Sequence, residues 1–65
     1  MNEFDKEYDN FENEILRLEE ERSLYYLKGD MHNFNIIKQC IEQKMNNNPK
    51  FCKLFCEQWK YYNKY

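Results

Sequence analysis

The sequence predicts an all-α fold: a small three-helix protein whose long N-terminal amphipathic helix packs against a shorter helical hairpin. Three observations lead there. Apolar residues recur at helical spacing along most of the chain. Only two stretches carry strong stop signals, Gly29-Asp30 and Asn46-Asn47-Asn48-Pro49. Strand-like alternation is missing, and Val and Thr, which strands favour, do not occur at all.

The first helix is predicted over residues 3–28. Phe4, Phe11, Leu18 and Tyr25 recur every seven residues, with Tyr8, Ile15 and Arg22 interleaved, a coiled-coil-like seam. Glu7, Asp9, Glu12, Glu14 and Glu19-Glu20-Glu21 lie around that seam as a solvated acidic face. Leu16, Leu24 and Leu27 fall off it, and Leu24, Tyr25, Tyr26 and Leu27 are apolar all the way round. A helix packed on two sides needs a wider apolar arc than a single seam. The expectation is that both the second and the third helix pack on this end.

Gly29 then reads as the left-handed residue after the helix, and Asp30 as the N-cap of the next. The second helix, residues 30–45, places Phe34, Ile37, Ile41 and Met45 on one stripe, flanked by Ile36 and Cys40. Asn48 as cap and Pro49 at the first helical position open the third helix, residues 49–62. Its stripe is Phe51, Phe55, Trp59 and Tyr62, with Cys52 and Cys56 beside it and Leu54, Tyr61 and Tyr65 forming a second.

At 1.5 Å per residue the first helix spans about 39 Å, and the others only about 24 and 21 Å. If the short helices cover residues 14–28, Phe4, Tyr8 and Phe11 remain on a projecting arm. Exposed rings in a row are a liability for a monomer, so a partner is expected to cover them.

A chain of 65 residues makes one domain, 1–65. Its core typically supplies no more than about 3–5 kcal/mol, so self-association or another support is common at this size. With 42% apolar and 34% charged residues it is too apolar for a disordered chain and too charged for a membrane one. The start, Met1-Asn2-Glu3-Phe4-Asp5, is acidic and lacks the apolar run of a secretory signal. The expected location is therefore cytoplasmic, or the host cytoplasm for a viral protein. Asn occurs nine times, Lys eight and Tyr six, while Ala is absent, which points to AT-rich coding of the kind found in many phages, poxvirus-like viruses, low-GC bacteria, ciliates and apicomplexans.

Charge is polarised. Residues 1–30 carry ten acidic and four basic side chains, and residues 44–65 five Lys and one Glu, within a total of −2. Bringing the two ends together, by self-association or by docking the third helix on the first, would pair opposite signs.

Candidates for chemistry are few. His32, Cys40, Cys52 and Cys56 could in principle hold zinc, but their spacing matches no finger or knuckle. Three cysteines are an odd number, so reduced, buried thiols are expected rather than a disulfide framework. No metal and no cofactor is predicted. One His, one Ser and no glycine-rich loop supply no nucleophile with its base and oxyanion site, so the protein is predicted not to be an enzyme.

Two surfaces invite binding. Carboxylates on the arm (Asp5, Glu7, Glu12 and Glu14, with Asp9) could steer towards a basic partner, or imitate a phosphate ladder beside the rings of Phe4, Tyr8 and Phe11. The C-terminal Lys60, Tyr61, Lys64 and Tyr65 interleave cations and rings as single-strand nucleic-acid binders do, although a pI of 5.3 disfavours nucleic acid. The sequence therefore predicts a protein–protein interaction module, in its most concrete form a small phage- or virus-encoded inhibitor of a host or defence protein. The partner would offer a basic or apolar groove, and a homodimer is a second way to cover the arm. An accessory subunit of a larger assembly, or a nucleic-acid binder using the C-terminus, are the alternatives. No membrane association is predicted.

Overall fold

The structure, a computed structural model, describes residues 2–59. Its elements are α1 (Glu3–Lys28), α2 (Met31–Asn47) and α3 (Pro49–Trp59), with no strand among the described residues. The all-α fold, with the long first helix packed against two shorter ones, is as the sequence predicts.

Local chemistry sets the boundaries. Asn2 caps α1, its side-chain oxygen accepting from the Asp5 N–H at 2.9 Å. At the other end Gly29 takes φ 74°. Its N–H donates to the Tyr26 carbonyl at 3.0 Å and the Asp30 N–H to the Tyr25 carbonyl at 2.9 Å. That pair of bonds is the Schellman closure, which satisfies carbonyls the helix end would leave open. Asp30 then caps α2, its Oδ1 accepting from the Asn33 N–H at 3.2 Å and its Oδ2 from Asn33 Nδ2 at 2.7 Å. These bonds to the ionised form hold its carboxyl below the usual aspartate range.

The second turn differs from expectation. α2 runs two residues past Met45, to Asn47. The Asn48 side chain does not cap α3; its Nδ2 donates backward to the Lys44 carbonyl at 2.9 Å. The carbonyl of Asn48 instead accepts from the Cys52 N–H at 2.8 Å as the first bond of α3. Pro49, which has no N–H to lose, starts that helix.

α2 folds back antiparallel along α1. Near the turn Tyr26 meets Phe34, ring centroids 5.7 Å apart, and the Arg22 guanidinium lies 5.8 Å from the Phe34 ring centre. Far from the turn Lys44 pairs with Glu14. Seventeen residues of helix end beside the N-terminal third of α1, so α3 begins there. The core draws on all three helices: Phe11 and Ile15 from α1, Ile41 and Met45 from α2, Phe55 from α3. Ile15, Ile41 and Phe55 are sealed from solvent, and Tyr8, Leu16, Leu18, Ile37, Phe51 and Cys52 pack around them. The longest dimension, 41 Å, is essentially the length of α1.

This path corrects two expectations. The first helix has no uncovered aromatic arm: Phe11 is only 4% exposed, Tyr8 is half-buried, and Phe4 rests on Phe51. Nor do two helices converge on residues 24–27, because α3 lies at the opposite end of α1. Leu24, Tyr26 and Leu27 stay 51%, 62% and 79% exposed.

Candidate interaction surfaces

The residues expected to meet a partner lie where α3 docks on α1. The Phe51 ring sits among three rings of α1, with centroids 5.3 Å from Phe4, 5.7 Å from Tyr8 and 5.5 Å from Phe11. The Phe4 and Tyr8 contacts are edge-to-face, at 64° and 68°, the arrangement that ring quadrupoles favour. One turn on, Phe55 meets Phe11 edge-on at 6.3 Å. Tyr8 and Phe11 of the heptad seam are thus consumed inside the chain, while Phe4, in contact with Phe51, stays 47% exposed.

The acidic residues divide. Glu12 accepts from the Trp59 indole N–H at 2.9 Å, and Glu14 pairs with Lys44. The bond and charge of Lys44 hold the Glu14 carboxyl below the usual glutamate range. Both carboxylates therefore already have partners within the chain. Asp5, Glu7 and Asp9 remain exposed, so the regular ladder a phosphate mimic needs is broken in its second half. The Tyr8 hydroxyl donates to Gln58 Oε1 at 2.9 Å. Partial burial, then the Glu12 and Asp9 carboxylates, push its ionisation up. Lys60, Tyr61, Lys64 and Tyr65, the residues of the nucleic-acid alternative, lie outside the described residues, as do the last turn predicted for the third helix and Tyr62 within it.

A surface the sequence reading missed lies at the α1–α2 corner. Leu24, Tyr26 and Leu27 of α1 and Met31 of α2 flank the Gly29 turn, Met31 being 46% exposed. Its signal in the sequence is the all-round apolar run of residues 24–27, which spacing alone reads as double packing because it does not place α3. Glu20 and Glu21 precede the patch by one turn, and Arg22 is occupied by Glu19 at 2.6 Å.

Two surface grooves flank α3. One, of ≈ 320 Å³, is walled by Phe4, Phe51, Pro49 and Lys50 with the Asn47-Asn48 turn. The other, of ≈ 400 Å³, lies between the end of α2 and one face of α3 and is lined by Met45, Cys52, Lys53, Cys56 and Glu57 among others. Cys40, Cys52 and Cys56 are free thiols; Cys40 is exposed on α2 and the other two are half-buried. Burial, and then the neighbouring Cys52, push the Cys56 thiol up. His32 is exposed in the first turn of α2, and no group of three or more His, Cys, Asp or Glu among the described residues could hold a metal. No helix among the described residues is long and apolar enough to cross a membrane.

The chain matches no known family, no curated protein and no solved structure.

Proposed function

We propose that the chain is a non-enzymatic protein–protein interaction module that binds through the α1–α2 corner. One observation carries the reading: Leu24, Tyr26, Leu27 and Met31 are left 46–79% exposed beside one turn, while Tyr8 and Phe11 of the seam are spent on the core. A large exposed apolar patch commonly marks a contact surface. Its preferred occupant is an apolar groove with a basic rim on another protein. Glu20 and Glu21 border the patch, and residues 1–30 carry ten acidic against four basic side chains. Such charges act mainly on encounter rate and orientation. In its most concrete form the module is a small phage- or virus-encoded inhibitor of a host or defence protein, the AT-rich residue usage supporting that origin.

The test compares native protein with Leu24→Asp/Leu27→Asp. Both positions face solvent, so helicity should not change. A protein retained by the native chain, purified and titrated back, should bind the double variant at least tenfold more weakly. Binding that ignores both substitutions sinks the reading. So does concentration-dependent dimerisation of the native chain that the variant abolishes, since a second copy would then be the occupant.

A further inference from the structure

The second groove is lined by three sulfur-bearing residues, and binding through the α1–α2 corner makes no use of them. Cys52 and Cys56, spaced i and i+4, share one face of α3. Both line the second groove, one helical turn apart. Met45, 6% exposed at the end of α2, lines the same groove from the facing helix. The set comes from two elements that pack on each other, so the fold itself brings these three residues to one groove. We propose that Cys52 and Cys56, assisted by the Met45 thioether, bind one Cu(I) ion.

Ligand type selects the ion. Thiolate and thioether are soft donors, which favour Cu(I) over hard cations. Calcium and magnesium need oxygen-rich shells, to which this groove contributes a single carboxylate, that of Glu57. Structural zinc asks for four Cys or His ligands. Among the described residues no group of three or more His, Cys, Asp or Glu comes together, so zinc would be left short. Cu(I) is satisfied by two or three sulfurs.

The step balances without oxidation. Two S–H bonds break, two Cu–S bonds form and two protons leave to solvent, while copper stays Cu(I) and each sulfur stays at the thiolate level. The bis-thiolate complex carries one negative charge. Lys53 lines the groove and supplies a counter-charge. Because thiolate is the ligating form, proton release is part of the binding equilibrium. Affinity therefore rises with pH below the thiol range, about tenfold per unit for each proton displaced.

The full chain is titrated, without oxygen and with ascorbate present, against Cu(I) held by bicinchoninate. The native protein should withdraw one equivalent and bleach the coloured chelate. Cys52→Ser/Cys56→Ser should withdraw none, and Cys40→Ser should behave as native. Met45→Leu, which conserves core volume, should bind about tenfold more weakly. Far-UV circular dichroism of each variant confirms that helicity is kept. A native chain that takes no copper, or a double serine variant that takes as much as the native chain, overturns the site. Unchanged affinity in Met45→Leu overturns the three-sulfur arrangement.

Discussion

Replacing Phe11 by alanine decides between a ring that holds the fold and a ring kept for a partner. Phe11 is 4% exposed and its ring centroid lies 5.5 Å from Phe51 and 6.3 Å from both Tyr8 and Phe55. Truncating a buried phenylalanine costs about 3–5 kcal/mol through lost transfer energy and the cavity left behind. A core of this size rarely supplies more than about 3–5 kcal/mol in total. The two figures are equal within their spread, so Phe11→Ala should be about half unfolded at 25 °C before any denaturant is added. Phe4→Ala is the internal control. That ring is 47% exposed and touches Phe51 at 5.3 Å, so its loss forfeits one edge contact and half a ring of burial. About 1–2 kcal/mol is expected, leaving a folded but less stable chain. Urea titration followed by circular dichroism at 222 nm measures both. A Phe11→Ala midpoint equal to the native one would refute the placement of α3 against the N-terminal third of α1.

Two further outcomes concern the turn and the ends of the pH scale. Gly29→Ala should cost about 1–2 kcal/mol by urea midpoint: a Cβ would meet nothing within 4 Å, so the penalty is the left-handed backbone alone. Gly29→Asn should recover part of it, and an unchanged midpoint in the alanine variant would mean the turn is not left-handed. On the acid side, Asp30 and Glu14 are both held below their ordinary values of 3.8 and 4.5. Their contribution is complete above about pH 5 and is lost as pH falls through those values towards the folded ones. On the alkaline side, Tyr8 and Cys56 are pushed above 10.0 and 9.0. The neutral form is the one the fold prefers, so stability falls as pH rises past the ordinary values. Thermal melts should peak near neutrality, and a melting temperature at pH 3 equal to that at pH 7 would contradict the cap and the Lys44 pair together.

Element boundaries were legible in the sequence where a single residue type has one physical use. Gly29 has the positive φ and Asp30 the accepting carboxylate that their identities imply, and α1 ends at Lys28 as read. Asn48 is ambiguous in the sequence because an asparagine between two helices can serve either, and here its amide completes α2. The burial of Phe11 was harder to see. Helix lengths gave the reach of α2 along α1, but not the consequence that the chain then stands beside Phe4 when α3 begins. That depends on where a loop of one residue, Asn48, redirects the backbone, and hydrophobic periodicity carries no such information. The same error hid the corner of Leu24, Leu27 and Met31, whose apolar character was plain but whose neighbours were assigned to the wrong end.

Trp59, the only tryptophan, stands in the last described turn of α3, stacked on Phe55 at 6.0 Å with its indole N–H on Glu12. The α1–α2 pair closes through one tight turn and shares the most extensive interhelix contact, so it is the unit expected to form first. α3 must then find a site more than forty residues away along the chain. A single fluorophore therefore marks the arrival of α3, while helix formation is followed by circular dichroism. If the two signals separate in time after a urea jump, the hairpin exists before its cap of rings, and the molecule assembles as two plus one.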